Sequence, residues 1–341
     1  MSVYTNDLHE ALLNKRGTNF WECWKSKFER NKQTINHVDG MIDSDIIADN
    51  FATYFSKVCS NLTKTGANRI KSKYIEMRSE YCGTPDNEQY LFDAELVESI
   101  IIKMNRGKAA GLDGLTAEHL QFCHPLLPGI LSKLFNIVMR FGHVPLSFGQ
   151  SYTVPIPKCN NTYSKSLTVD DFRGISISCV LSKILEHCIL KRYQPFFETS
   201  DNQFGFKKGS GCSDAIYTLR CVVDHYNSRG STVNLCALDL SKAFDKMNHC
   251  GLFINLMEKS IPINLLKLLE NWFDMGFTCV KWGIAMSKFF KLNCVIRKGG
   301  VLSPYFFAIY IDRVVERIKK NTRQVATLVG SASLFCYMQM T

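Results

Sequence analysis

The sequence lacks the features that mark several classes of protein. None of its 14 cysteines forms a Cys-x-x-Cys pair and no signal peptide is evident, so neither a zinc ribbon nor a secreted disulfide scaffold is expected. His119, Cys123 and His124 stand together without further ligands, which is more typical of ordinary helix residues than of a zinc site. The most apolar run, 301–311, is too short to cross a bilayer. We therefore expect an intracellular protein of the nucleus or cytoplasm, with free thiols and no membrane span.

The composition is that of a folded protein with a sizeable core. Hydrophobic residues make up 46% of the chain and aromatic residues 12%, and no repeat or low-complexity tract is evident, so disorder is not expected. Lysine and arginine total 41 against 31 aspartate and glutamate, a formal net charge of +10. That excess permits a polyanionic partner such as nucleic acid but does not require one.

Apolar residues at helical spacing predict several helices. The run 46–58 predicts an amphipathic helix docked on the rest of the protein, with Ile46, Ile47, Phe51, Tyr54, Phe55 and Val58 on its apolar face. The polar stretch 61–87 is interrupted by glycine and proline and predicts a linker. Further helices are expected over 127–141 with Gly142 as C-cap, from Ser213 and Asp214 to Gly230, from Pro262 to Gly276, and over 303–319.

The run VNLCALDL, 233–240, predicts a short buried strand with Asp239 near its end. Strands mixed with helices without regular alternation favour an α+β domain. A carboxylate held at a strand end suits Mg²⁺, although an aspartate at such a place is more often the N-cap of a helix. Asp239 by itself therefore indicates little.

Six blocks of sequence, however, resemble the reverse transcriptases of non-LTR (LINE-like, jockey-like or CR1-like) retrotransposons, in the order that the family has them. They are KAAGLDGLTAEHL (108–120), VPIPK (154–158), DFRGISISCVLSKILEHCIL (171–190), QFGFKKGSGCSDAI (203–216), ALDLSKAFDKMNH (237–249) and RKGGVLSPYFFAIYIDRV (297–314). Six blocks in order are far more specific than any single motif. The resemblance implies an RNA-directed DNA polymerase that takes an RNA template, a DNA primer, dNTPs and Mg²⁺.

The resemblance also implies a right-hand polymerase with fingers and a partial palm, the thumb being absent. On this basis we expect an N-terminal helical or linker region over 1–90, fingers and the start of the palm over 91–230, and an incomplete palm over 231–341.

The first catalytic motif of the family matches residues around the predicted strand. Asp239 matches the catalytic aspartate that binds the two metal ions. Phe244 matches the aromatic steric gate that would collide with a ribose 2′-hydroxyl, although a phenylalanine more often packs in a core. Asp245 matches an aspartate that is not a metal ligand, and we expect it to cap a helix.

The other blocks supply candidate nucleotide-binding residues. Arg173 matches an arginine of the fingers that contacts the triphosphate, and its planar guanidinium suits bidentate phosphate contacts. Lys158 is a weaker candidate for the same role. Gly299 and Gly300 match glycines that approach the template and nucleotide closely, and Lys298 is expected to contact the template.

Three departures from the family pattern bear on activity. Lys298 replaces the usual glutamine, and Lys207 stands where arginine is common. Tyr337 matches the tyrosine of the Tyr-x-Asp-Asp motif, but Met-Gln-Met-Thr follows it, so the motif's carboxylates are missing. A frameshift within these codons could hide a Tyr-Ala-Asp-Asp sequence. We expect the chain to be inactive as a polymerase, and the alternatives are a noncatalytic nucleic-acid-binding remnant or the product of a pseudogene.

Overall fold

A computed structural model of the chain describes residues 37–58, 64–85, 90–158, 167–201, 203–207, 209–233, 235, 237–239, 247–292, 299–321, 327–329 and 333–336. The helices in these residues are α1 (Ser44–Val58), α2 (Lys64–Glu80), α3 (Ala94–Lys103), α4 (Ala117–Gln121), α5 (Leu127–Phe141), α6 (Leu146–Gly149), α7 (Val180–Arg192), α8 (Cys212–Asn227), α9 (His249–Glu258), α10 (Ile263–Asp274) and α11 (Ser303–Asn321). The strands are β1 (Gln150–Pro157), β2 (Phe172–Ser178), β3 (Ala237–Asp239), β4 (Phe277–Trp282), β5 (Ala285–Met286), β6 (Phe290–Lys291), β7 (Thr327–Val329) and β8 (Ser333–Cys336). The expected α+β class is confirmed as a mixed and mostly helical fold.

The larger sheet is mixed and has five strands. Its order is β2-β1-β4-β5, and β6 pairs with β4. Strand β1 runs antiparallel to β2 and parallel to β4, with Thr153 opposite Ser176 in β2 and Val280 in β4. The hydroxyl group of Thr153 lies 3.0 Å from that of Ser176 and 2.9 Å from that of Thr278, so a row of hydroxyls links β2, β1 and β4.

The main core lies between helices. Buried side chains of α3, α5, α7, α9, α10 and α11 form one continuous cluster that includes Phe135, Ile184, Leu256 and Leu269. Helix α5 ends at Gly142, which has a φ of +62°, and α10 follows Pro262 and buries Leu265, Leu269 and Trp272. The predictions for these two helices and for the helix now seen as α11 are confirmed.

Helix α1 covers one face of the larger sheet, as its amphipathic pattern predicted. The Phe51 ring is fully buried, and its centroid lies 5.0 Å from that of Phe172 and 5.4 Å from that of Trp282. Ile46 was wrongly placed on the apolar face, since its side chain is 55% exposed.

The predicted linker over 61–87 is wrong for most of its length. Residues Lys64–Glu80 form α2, which packs against α9. The Tyr74 hydroxyl donates a 2.5 Å hydrogen bond to Glu270 in α10, and burial raises the pKa of Tyr74, with that hydrogen bond as the second cause. The Tyr81 hydroxyl donates to the Ile261 carbonyl oxygen at 2.6 Å, and burial raises its pKa to about 12. The polar segment Lys64–Glu80 is therefore a helix, and the tyrosines at and just after its end bind it to α10 and to the segment before α10.

Helix α8 is less buried than its sequence suggested. The helix begins at Cys212, and its N-cap is Gly211, not the predicted Ser213 or Asp214. Asp214 lies in the first turn, where its carboxylate accepts a 2.7 Å hydrogen bond from the Gly211 amide. Among the residues of α8, however, Ala215 alone is buried, and Ile216 is 57% exposed. The predicted apolar stripe is thus only partly covered in the described part of the chain.

The smaller sheet has the order β3-β8-β7. Strand β3 of this sheet, Ala237–Asp239, is the part of the predicted strand 233–240 that the described residues show as a strand. Among the described residues we find no helix with the length and apolar character needed to span a membrane.

Candidate functional site

The hairpin of β1 and β2 places Lys158 and Arg173 on one face. Arg173 lies opposite Ile156, two residues before Lys158, and side chains two apart in a strand share a face. The Lys158 amide donates a 2.8 Å hydrogen bond to the Asp171 carbonyl oxygen, which extends the pairing to that residue. Both cations are exposed. The two sequence-predicted candidates for triphosphate contact therefore belong to one surface.

The opposite face of the hairpin is closed by α1. A Cβ on Gly174 would lie 2.7 Å from the Thr153 methyl group and 3.1 Å from the Phe55 ring. Phe172 is buried against Phe51 on the same side. Because α1 fixes which face is buried, the pleat directs Arg173 to the outer face.

Two further residues on this outer face were missed from the sequence. Tyr152 donates a 2.9 Å hydrogen bond from its hydroxyl to the Ala110 carbonyl oxygen, and burial raises its pKa. The Lys281 ammonium lies 5.4 Å from the centre of the Tyr152 ring, a cation–π contact. The alternation of side chains along the strand that contains VPIPK indicates which face Tyr152 occupies. Lys281 lies beside it because β1 pairs with β4, and nothing in the local sequence indicates that pairing.

Charges on the outer face are mostly basic. The exposed cations are Lys158, Arg173 and Lys281. The Arg173 guanidinium forms no hydrogen bond or ion pair with any residue that the structure describes, whereas Lys158 donates through its ammonium to the Asp170 carbonyl oxygen. The carboxylate of Asp171 shares this side but accepts hydrogen bonds from the amide and hydroxyl of Thr168, both at 2.9 Å. A guanidinium on a strand, with no counter-ion among the described residues, is suited to binding an anionic ligand.

The loop 108–114 packs against the far end of β2. A Cβ on Gly111 would lie 2.7 Å from the Cys179 Cα and 2.9 Å from its amide nitrogen. The Gly114 amide donates to the Gly111 carbonyl oxygen at 3.1 Å, which closes the turn. Glycine at 111 is thus required by close backbone approach, and the first sequence block is fixed beside the third.

Gly299, from the second catalytic motif, lies against the middle of β2. Its φ is +118°, and a Cβ there would lie 2.5 Å from the Ser176 carbonyl oxygen. Gly300 follows and lines a small cavity of about 60 Å³ together with Glu186 and apolar side chains. The structure therefore brings Gly299 to the strand that carries Arg173, at Ser176, three residues after the arginine.

Glu186 fixes the segment that follows the glycine pair and was not predicted. Its side chain is 6% exposed, and its carboxylate accepts a 2.9 Å hydrogen bond from the Leu302 amide, immediately before α11. A carboxylate near the N-terminus of a helix is stabilised by the helix dipole. Glu186 thus joins α7 to the start of α11.

Asp239 is described through its backbone. It ends β3 and lies opposite Ser333, the first residue of β8. Cys336, the last residue of β8, is three residues further along that strand. Phe244, Asp245 and Lys298 lie outside the described residues. No group of three histidine, cysteine, aspartate or glutamate side chains that could hold a metal ion occurs among the side chains that the structure describes.

Comparison with known proteins adds a family match to this geometry. The family model described as reverse transcriptase (RNA-dependent DNA polymerase) matches residues 156–338, more than half of the chain. It spans β2, Asp239 and the glycine pair, whereas the block 108–120 lies before it.

Three similar proteins come from insect retroelements. The chain is 25% identical over 230 residues to the "Retrovirus-related Pol polyprotein from type-2 retrotransposable element R2DM" of Drosophila melanogaster, covering 67% of this chain and 21% of that protein. It is 25% identical over 221 residues to the "RNA-directed DNA polymerase from mobile element jockey" of Drosophila funebris, covering 63% and 24%. It is 23% identical over 219 residues to the "Probable RNA-directed DNA polymerase from transposon X-element" of Drosophila melanogaster, covering 63% and 24%. The aligned region is thus less than a quarter of each relative.

Proposed function

We propose, from the premise that this chain belongs to the reverse transcriptase (RNA-dependent DNA polymerase) family, that it forms the fingers and part of the palm of a right-hand polymerase from a non-LTR retrotransposon of the jockey-like or CR1-like kind. The family activity is RNA-templated DNA synthesis from dNTPs. The single observation that carries the proposal is the outer face of the β1–β2 hairpin, where Arg173 and Lys158 lie on one side and Gly299 packs against Ser176.

Each candidate residue has a proposed role. Arg173 binds the triphosphate of the incoming dNTP through a forked pair of charge-assisted hydrogen bonds, and Lys158 and Lys281 add positive charge beside it. Gly299 and Gly300 are proposed to bring the backbone of the second catalytic motif close to the template and nucleotide. Phe244 is proposed as the steric gate and Lys298 as a template contact.

The number of carboxylates at the catalytic position limits what this chain can do with Mg²⁺. Asp239 supplies one carboxylate at the family's catalytic position, and the sequence contains no aspartate or glutamate after Glu316. A two-metal site for nucleotidyl transfer needs more carboxylate ligands than that. The donors of these 341 residues therefore do not complete the site, and we propose that this chain binds nucleotide and nucleic acid without extending a primer. A noncatalytic nucleic-acid-binding function is the second candidate, which the same shortage of carboxylates favours.

Triphosphate binding tests the proposed face directly. We expect Arg173→Ala to weaken the binding of a fluorescent dNTP analogue roughly tenfold, about the loss of one charge-assisted hydrogen bond. Arg173→Lys should weaken it less, since it keeps the charge but loses the fork. The measurement is a fluorescence titration of purified protein.

Arg140→Ala is the matched control, because Arg140 is an exposed arginine at the end of α5. Its effect on dNTP affinity should be small. Equal affinities for the Arg173→Ala and Arg140→Ala variants would contradict the role of Arg173.

A further inference from the structure

A cavity of about 550 Å³ lies between α2, α9 and α11. Helix α9 packs against both of the other helices, and each helix lines the cavity with residues three or four positions apart, which share one helix face. On α9 these are Gly251, Ile254 and Asn255, and on α11 they are Tyr310, Arg313 and Val314. The volume lies within the range of about 300–1,000 Å³ that is typical of sites for small molecules.

Much of the cavity wall is apolar. Ile254 is 3% exposed, and Ile70 of α2 is partly buried against the main core. A Cβ on Gly251 would lie 3.0 Å from Cε2 of the Tyr310 ring, so the glycine lets this ring lie close to α9. Such walls suit a ligand with an apolar body rather than a hydrated ion.

The polar residues of the wall are mostly cations. Arg69, Lys73 and Arg313 line the cavity, and among the described residues no aspartate or glutamate does. Glu258 lies beside them, with its Oε1 2.8 Å from the Arg313 Nη2 and 3.8 Å from the Lys73 Nζ. Arg313 also donates a 2.8 Å hydrogen bond to the Asn255 side-chain oxygen. One carboxylate therefore serves two of the three cations.

Arg69 is the third cation. It is exposed, and its guanidinium forms no hydrogen bond or ion pair with any residue in the described part of the chain. It precedes Lys73 by four residues on α2, so both side chains lie on the side of the helix that lines the cavity. A guanidinium without a counter-ion beside apolar walls suits a ligand with one acidic group, whose oxygen atoms accept its N–H donors.

The cavity is distinct from the proposed nucleotide surface. None of Arg173, Lys158, Lys281 and Gly299 lines it, and on α11 it begins at Tyr310, seven residues after the start of the helix. A change confined to the cavity should therefore leave dNTP binding at Arg173 intact.

We propose that this cavity binds a small apolar acid, a molecule with an aromatic or aliphatic body and a single carboxylate group. The body packs on Ile254 and the Tyr310 ring, and the carboxylate binds Arg69. The inference does not depend on the proposed function, and it gives α2 a role in binding a ligand as well as in covering the core.

The test uses two fluorescent probes that share an aromatic body. Anilinonaphthalene sulfonate carries one acidic group, which stands in for the carboxylate, and phenylnaphthylamine carries none. Their binding is compared in the Arg69→Ala variant and in a Lys71→Ala variant, since Lys71 is an exposed cation of α2 that does not line the cavity. A Val314→Trp variant fills the cavity with a larger side chain, and Ile284→Trp adds the same side chain at a position that is 99% exposed. Circular dichroism checks that each variant is folded.

We expect Arg69→Ala to weaken binding of the sulfonate about tenfold, the loss of one charge-assisted hydrogen bond, and to leave binding of the neutral probe within about twofold. Lys71→Ala should leave both affinities unchanged. Val314→Trp should weaken both probes, because it removes the space for their common body, whereas Ile284→Trp should weaken neither. Because Arg69 is exposed, its variant decides the question even if Val314→Trp fails to fold.

Other outcomes overturn the inference in distinguishable ways. Equal effects of Arg69→Ala and Lys71→Ala on the sulfonate would remove Arg69 from the site. Equal weakening of both probes by Arg69→Ala would exclude an acid as the class of ligand. Undiminished binding in a folded Val314→Trp variant would place the probes elsewhere on the protein, and no binding by the unmodified chain would remove the site. None of these results bears on the dNTP titration at Arg173, which tests the proposed function separately.

Discussion

Gly299 is constrained twice, by its own backbone and by its neighbour. A φ of +118° lies in the left-handed half of conformational space, which residues with a Cβ rarely adopt. The Ser176 carbonyl oxygen occupies the place of a Cβ at 2.5 Å. Either constraint favours glycine, and together they fix the second catalytic motif to β2.

A pair of glycine substitutions separates these two constraints. We expect Gly299→Ala to destabilise the protein by about 3 kcal/mol, from backbone strain and the contact with Ser176. Gly283→Ala should cost about 1 kcal/mol, because Gly283 has a φ of +58° but open space around its Cβ position. Urea unfolding of both variants measures the difference, and equal losses would show that the contact with Ser176 contributes nothing.

Some residues of the candidate site could be found from sequence and others could not. Arg173, Lys158 and the glycine pair were predicted because each lies in a contiguous block that resembles the family. Glu186 was missed, since its partner Leu302 is 116 residues away in the chain. Tyr152 was missed in the same way, because its hydroxyl bonds to the Ala110 carbonyl oxygen of another block. A local pattern records which side of a strand a residue faces but not which distant segment meets it.

At the scale of the elements, α1 determines which face of the β1–β2 hairpin is covered. Its ring contacts with β2 and β4 close one side of the sheet. The opposite side carries Arg173, Tyr152 and Lys281, so the helix supports the site from the other face of the sheet. Loss of α1 would expose the apolar face that now sets the orientation of the hairpin.

Two substitutions within α1 test this support. Phe51→Ala should destabilise the protein by about 3–5 kcal/mol, the usual cost of removing a buried ring. Ile46→Ala in the same helix should cost less than about 0.5 kcal/mol, because its side chain is largely exposed. Thermal or urea unfolding provides the measurement. A small effect at Phe51 would indicate that α1 is not bound to the sheet.

The error over α2 has a physical origin. Ile70, Tyr74, Met77 and Tyr81 are partly buried against the main core at intervals of four, three and four residues, which is a helical stripe. Two of the four are tyrosines, and the remaining sequence is strongly polar with a glycine near its start. The sequence therefore predicts a linker where the structure has a helix. The strongly apolar helices α5 and α10 gave no such ambiguity.

For the molecule as a whole, the shortage of carboxylates predicts the outcome of a polymerase assay. The purified 341-residue chain should show no Mg²⁺-dependent primer extension on an RNA template above an Asp239→Ala control, because both lack metal ligands. An active reverse transcriptase serves as the positive control. Extension by the unmodified chain that disappears in the Asp239→Ala variant would contradict the proposal that these residues do not complete the site.

The docking of α1 on the sheet also has a consequence for the order in which the protein is made. Phe51 in α1 packs against Trp282, and Thr153 bonds to Thr278, 125 residues later. The ribosome therefore releases Phe51 about 230 residues before Trp282, or on the order of 10–50 s earlier at roughly 5–20 residues per second. Over about the first half of that interval Phe172 has not been made either, so neither ring covers Phe51. The aromatic side chains of α1 are uncovered at this stage, and chaperone binding or aggregation then competes with folding.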